Sequence, residues 1–404
     1  MTASFLRMGL ACWLAACGLG AQTRQQQWDS LREKKAEGLR APERKGLEKA
    51  LYEVKEQHLM ERLMAGWHGF HPTFGGLHTG SGMALGTEWR QERLAGGILD
   101  LRAAGRVSLK HYEKLEFQVG LPRLRNEHLF LDFTMTYRNL PQEDFFGLGP
   151  KSRQQDRTNF RLEDTTYLGR LGVRGWRKKL ALGMHGGIIA ANAGPGADPR
   201  FASTETVFHS RNTPGLELQP DYYQVGAFGQ LDWRDEPGNP RGGGNYLVQW
   251  NTFGDRNKSQ YSFRRYEAEV QQYLPFFNLR RVIAFRAKTS LTDTSPGQAA
   301  PFYMQQTVGG SEDLRGFREF RFRDKNLMVY NLEYRWEVFS GLDMALFGDA
   351  GKVFPQRSDF NLEHLEGAYG LGFRFNQAKA VFLRIDIGRS REGMRFFFKF
   401  GHVF

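Results

Sequence analysis

The sequence predicts an all-β protein: a 16-stranded antiparallel transmembrane β-barrel with a short N-terminal helical segment. Three observations carry that prediction. Apolar and charged residues alternate with period two along most of the chain, as in strands with one wet and one apolar face. The long polar connections all fall at one end of the strand series. The chain finishes on an aromatic-rich strand whose last residue is Phe404.

Composition on its own points elsewhere. The 404 residues are 25% charged, with 56 Lys+Arg against 44 Asp+Glu for a formal net charge of +12, and mean hydropathy is -0.54. Past the N-terminus no apolar run reaches about 18 residues, so a helical membrane bundle is excluded. The basic residues are dispersed without a basic cluster, which leaves nucleic acid without support as a partner.

At the N-terminus, a single cation at Arg7, an apolar stretch over 8–16 and the small residues Gly18, Gly20 and Ala21 read as a secretory signal over 1–21. Cleavage near Ala21 is expected; the alternative is Leu14-Ala15-Ala16-Cys17 read as a lipoprotein signal. Both cysteines, Cys12 and Cys17, lie inside the leader, so the exported chain needs neither disulfides nor a thiolate metal site. Residues 22–70 form a charged helical segment, in which Leu47, Leu51, Val54, His58 and Leu63 approach helical spacing on one face. Such a helix could pack on the domain, plug a pore or rest on a membrane. Its length leaves no room for a chain of folded periplasmic repeats.

The barrel domain spans 71–404. Sixteen strands are expected, starting near Thr73, Gly82, Leu99, Tyr112, Leu129, Asn159, Leu180, Tyr222, Gly244, Tyr261, Arg281, Asn326, Leu342, Ala368, Ala380 and Met394. In the strand at 327–338, Met328, Tyr330, Leu332, Tyr334, Trp336 and Val338 share one face, and Asn331, Glu333, Arg335 and Glu337 the other. The same alternation sets Val381, Leu383, Ile385 and Ile387 against Arg384 and Asp386. Long loops are expected over 139–158, 191–221 and 292–325, all at one end, with short turns at the other. That asymmetry, with an even strand number, distinguishes a closed outer-membrane barrel from a soluble sandwich. Closure pairs the strand edges, so an apolar outer face can meet lipid.

The last strand places Phe396, Phe398, Phe400, His402 and Phe404 on one face. This ending resembles the signal by which the outer-membrane assembly machinery receives its substrates, although His402 stands where an aromatic is usual.

The most specific segment lies in the longest loop, Gly309-Gly310-Ser311-Glu312-Asp313-Leu314-Arg315-Gly316-Phe317. Its glycines permit a tight inward bend. An arginine carried into a lumen needs carboxylates to meet it, and two lie on lumen-facing positions: Glu333, and Asp349 within Phe347-Gly348-Asp349-Ala350-Gly351. A loop pinned inside its own barrel by a charge-assisted arginine contact is the expected arrangement.

Together, Leu314-Arg315-Gly316-Phe317, Phe347-x-Asp349-x-Gly351 and terminal Phe404 resemble the bacterial surface antigen family, the BamA/TamA superfamily of outer-membrane assembly and translocation barrels. The resemblance implies a sixteen-stranded barrel whose sixth external loop is locked by its arginine to acids on the twelfth and thirteenth strands. Arg315, Gly316, Phe317, Glu333, Asp349 and Gly351 would form that lock, and Phe396, Phe398, Phe400 and Phe404 the assembly signal. The POTRA domains usual in the family have no room here.

Two functions stay open at this point. One is insertion or translocation of client proteins, by parting a seam between the strand at 73–80, weakened by the glycines Gly75, Gly76, Gly80 and Gly82, and the strand at 394–404. The other is a passive channel or structural barrel. An enzyme is not expected: the histidines lack ligand spacing, Glu143-Asp144 and Glu163-Asp164 point opposite ways in extended chain, and no G-x-S-x-G occurs. Neither metal nor cofactor is expected. The expected partners are outer-membrane lipid, the assembly machinery during biogenesis and, on the first reading, client proteins, after export to the bacterial outer membrane.

Overall fold

The computed structural model describes residues 67–77, 80–377, 380–401 and 404. The leader and the charged helical segment lie outside the described residues, save for the segment's last four. Sixteen strands form one antiparallel sheet. In chain order they are β1 (Phe70–Gly76), β2 (Met83–Arg93), β3 (Leu99–Ser108), β4 (Glu113–Leu124), β5 (Leu129–Phe145), β6 (Thr158–Gly175), β7 (Leu180–Pro195) and β8 (Tyr222–Asp232). They continue as β9 (Gly243–Asp255), β10 (Phe263–Phe276), β11 (Arg281–Asp293), β14 (Asn326–Phe339), β15 (Leu342–Phe354), β16 (Glu366–Gln377), β17 (Ala380–Ser390) and β18 (Gly393–Phe400). Between β11 and β14, the short strands β12 (Gln306–Val308) and β13 (Phe322–Asp324) pair only with each other.

Alternation sets the two faces. Leu332, Leu346, Tyr369 and Phe398 are exposed on the outside, whereas Glu333, Arg374, Arg384 and Asp386 are fully buried inside. An apolar outer surface of this extent would be a liability in water and suits lipid.

The strand number and starting points match the sequence reading, but several strands run longer. The expected loop over 139–158 shrinks to 146–157, because β5 and β6 stay paired from Leu129↔Val173 to Phe145↔Thr158. The expected loop over 191–221 likewise begins late, as β7 continues to Pro195. Arg138, Asn139, Glu143 and Asp144 hide the strand by breaking the alternation. Burial compensates: Phe145 and Phe160 pack on Phe302 and Tyr303 of the long loop, holding the extensions beyond the roughly 9–11 residues a membrane crossing needs.

Parity fails once in β17. A bulge at Phe375/Asn376 shifts the register, so Val381 is buried and does not share the outer face of Leu383, Ile385 and Ile387.

The series does not close by strand pairing. β1 pairs with β2 and β18 with β17, and among the described residues no ladder joins β1 to β18. The two ends nonetheless meet, since a Cβ on Gly75 would stand 3.4 Å from the Phe400 Cβ.

Beyond Phe400 the common aromatic face stops. Phe396 and Phe398 point outward, Gly401 takes φ +90° and Phe404 is turned inside. There Phe404 clusters with Tyr273, Val282 and Ala284, and the Tyr273 hydroxyl donates to the Phe404 carbonyl.

Candidate functional site

The segment between β12 and β13 lies against the inward faces of β14, β15 and β17. Its backbone is turned by Gly309 (φ +126°) and Gly310 (φ +94°), conformations that L side chains rarely adopt. Leu314 and Phe317 follow as apolar anchors, buried with Val308, Phe322, Leu327, Val329, Val353 and Ala368. Between these anchors, Arg315 is 0% exposed.

The contacts of Arg315 use the whole guanidinium fork. Nε donates to Asp349 Oδ2 at 2.8 Å and Nη2 to Asp349 Oδ1 at 2.6 Å, a bidentate pair, while the backbone N–H also donates to Oδ2 at 3.1 Å. Nη1 donates to Glu333 Oε1. The guanidinium carbon stacks 3.7 Å from the Phe347 ring centre. Desolvation opposes the charge, but Asp349 and Glu333 outweigh it and hold Arg315 above its ordinary value.

The structure thus brings Arg315, Glu333 and Asp349 together, with Phe317 in the adjoining apolar cluster. Gly316 and Gly351 act through close approach. A Cβ on Gly316 would lie 2.7 Å from the Arg389 carbonyl carbon, and one on Gly351 would lie 2.8 Å from the Met328 carbonyl oxygen. Phe396 and Phe398 point outward, away from this cluster, whereas the Phe404 ring lies 5.4 Å from the guanidinium carbon of Arg335.

The network extends past the expected residues. Glu333 also accepts from Arg335 Nε at 2.6 Å and Arg374 Nη2 at 3.0 Å, and Arg374 Nη1 donates to Asp386 at 2.7 Å. Arg384 pairs with Asp386 at 3.1 Å and donates to the Ser311 carbonyl at 2.9 Å. Asn331 bridges the Asp313 carbonyl and Asp349. On β17, Ser390 Oγ donates to the Gly316 carbonyl at 2.6 Å, and Gly388 faces the loop so closely that a Cβ there would stand 1.3 Å from the Arg315 carbonyl oxygen. The sequence marks Arg374, Arg384 and Asp386 as inward-facing by alternation. It carries no sign that they join the loop, because that depends on which strands the loop crosses.

Glu319, farther along the same loop, accepts from the Ser311 N–H and Oγ. Desolvation pushes its carboxyl up to about 7, against the pull of Lys399.

No curated protein matches the chain. Among solved structures, BamA from Haemophilus ducreyi lacking POTRA domains 1-3 superposes with TM-score 0.61 at 13% identity, over 83% of this chain and 70% of that one. CdiB from Escherichia coli superposes with TM-score 0.53 at 14% identity, over 83% of this chain and 62% of that one. At such identities the likeness concerns the fold. The family model of the Omp85 superfamily domain matches residues 223–404, the stretch that contains Arg315 and its partners Glu333, Asp349 and Phe347. A domain of this family in such a barrel implies the bacterial outer membrane. Residues 223–404 thus match the Omp85 superfamily domain, and the barrel that they complete has the fold of BamA.

Proposed function

We propose that this barrel assists the insertion or translocation of other proteins at the outer membrane, with the seam between β1 and β18 as its working edge. The observation that carries the reading is the break in the ladder: among the described residues fifteen strand pairs are formed in series, while no ladder joins β1 to β18. Unpaired N–H and C=O groups on two adjacent edges are a template for an incoming strand. β1 spans only 7 residues and β18 only 8, so little pairing would have to be lost elsewhere when the seam parts. In this reading the Arg315 contacts with Glu333 and Asp349 pin the loop inside and keep β14 to β17 rigid while the seam moves.

A reversible staple tests it. Gly75→Cys with Phe400→Cys would set two Cβ atoms at about the separation a disulfide needs. The only native cysteines, Cys12 and Cys17, fall in the expected leader. In liposomes, the oxidised variant is expected to lose insertion of unfolded barrel substrates and to regain it on reduction. Conductance by the wild-type barrel without any effect on substrate insertion would instead establish a passive channel.

A further inference from the structure

The loop that carries Arg315 also walls a cavity of about 250 Å³ at the end of the barrel bearing the long loops. The cavity bridges the two sides of the seam. Its lining comes from the β1–β2 and β3–β4 connections on one side and from Arg395 and Phe397 of β18 on the other, with Arg318 and Glu319 of the long loop between them. Phe396, next in chain to both β18 residues, is exposed on the outer face, so the cavity lies one strand thickness from the lipid-facing surface.

Its charges do not balance internally. Five cations (Lys110, Arg157, Arg200, Arg318 and Arg395) line it with three carboxyl groups (Asp144, Asp198 and Glu319). Asp144 is taken by Arg157 at 2.9 Å, and Asp198 by both arms of Arg200. Glu319 turns one oxygen to Ser311 and leaves Oε2 without a partner. Lys110 donates to the Gly80 carbonyl. Two guanidiniums are left over. Among the described residues, Arg318 has no hydrogen bond or ion pair from its side chain, and neither does Arg395, whose Nε is shielded from solvent. Desolvation and the like charges of Arg395 and Arg157 disfavour the cationic form of Arg318.

Neighbouring cations in a half-enclosed cavity that outnumber its carboxylates, and that no carboxylate bonds directly, repel one another, and an anion that bridges them relieves the cost. The planar forks of arginine suit a tetrahedral oxyanion able to accept several N–H groups at once. We infer that this cavity binds a phosphate group, with Arg318 and Arg395 as its two principal ligands and Arg157 as a third cation nearby. A bound phosphate would tie the long loop to β18 beside the seam. The group can come from free phosphate or from the headgroup of a phosphorylated lipid in the outer leaflet. The site does not depend on the client-handling role proposed above.

The test uses the full barrel in detergent, with two probes. Inorganic phosphate is titrated by calorimetry, and a phosphorylated glycolipid and the same lipid without its phosphates are offered in mixed micelles, with retention read by native mass spectrometry. Neither Arg318 nor Arg395 makes an internal pair, so Arg318→Gln and Arg395→Gln remove no internal bond; heat-modifiable migration verifies folding, and Arg395→Lys keeps the charge. Binding of inorganic phosphate that weakens at least about tenfold in the double Gln variant, the worth of one charged hydrogen bond, assigns the site to free phosphate. Retention of the phosphorylated lipid alone, lost in the same variant and kept in Arg395→Lys, assigns it to a headgroup. Wild-type protein that binds neither probe, or a folded double variant that binds as tightly as wild type, overturns the proposal.

Discussion

Between β14 and β17 the inner wall is dense with paired charge, whereas the wall formed by β1 and β18 is short, interrupted by glycine and unpaired at its edges. On the first wall four guanidiniums (Arg315, Arg335, Arg374 and Arg384) share three carboxylates (Glu333, Asp349 and Asp386), all nearly or fully buried. On the second, Gly75 takes positive φ, as do Gly80 and Gly82 in the β1–β2 connection, and among the described residues the Arg395 side chain makes no hydrogen bond or ion pair. The same sheet therefore holds one region in which each element is fixed by several others and one in which neighbours merely abut. On the function proposed above, rigidity on one side would let the other side open without the barrel losing its shape.

The largest expected effect comes from breaking the paired wall at its centre. Arg315→Ala leaves Asp349 and Glu333 short of a buried counter-charge, and loss of one partner from such a network costs about 3–5 kcal/mol. Heat-modifiable migration should shift to lower temperature, and limited proteolysis should cut within 309–321. Wild-type values for both would remove the loop from any role in holding this wall.

Gly388→Ala tests the same seat from the opposite side without touching a charge. The new Cβ would collide with the Arg315 carbonyl oxygen, a backbone atom that cannot swing aside, so the loop must lift. The expected destabilisation is about 1–3 kcal/mol, the range for overpacking a tight site, with protease sensitivity in 309–321 and an unchanged β-sheet circular dichroism spectrum. Unchanged protease resistance would mean that the loop does not sit on β17.

The sequence reveals these two walls unequally. Period-two alternation places the starting points of all sixteen barrel strands to within a few residues, because one face must meet lipid and the other must not. Arg315, Glu333 and Asp349 are recognisable because a cation flanked by glycines and two inward acids are local patterns in the chain. The share of Arg374, Arg384, Asp386 and Gly388 in the same network is hidden, since Arg384 meets the loop from 73 positions away, Gly388 lies against the Arg315 carbonyl, and Arg374 and Asp386 join through strand-to-strand pairs. Strand ends in β5 to β7 are hidden for a related reason: outside the bilayer, burial by Phe302 and Tyr303 replaces lipid, and no alternation is required. The inward turn of Phe404 depends on Gly401 and on Tyr273 of β10, and an aromatic run read by parity alone would keep it outside.

The smallest expected effect concerns that inward turn, where the end of the weak wall reaches across to a firm one. Phe404 has left the β18 ladder and is held at β10 and β11 by the Tyr273 hydroxyl, by ring stacking at 6.3 Å and by the nearby guanidiniums of Arg286 and Arg335. Tyr273→Phe removes the hydrogen bond and keeps the ring, so it should cost about 0.5–1.5 kcal/mol. Because the bond ties the chain end and not the wall, its loss should leave proteolysis within 309–321 unchanged and raise the rate at which a carboxypeptidase trims Phe404. A variant that instead loosened the Arg315 loop would mean that the two walls are coupled through the floor of the barrel, and the seam would then not move independently of the lock.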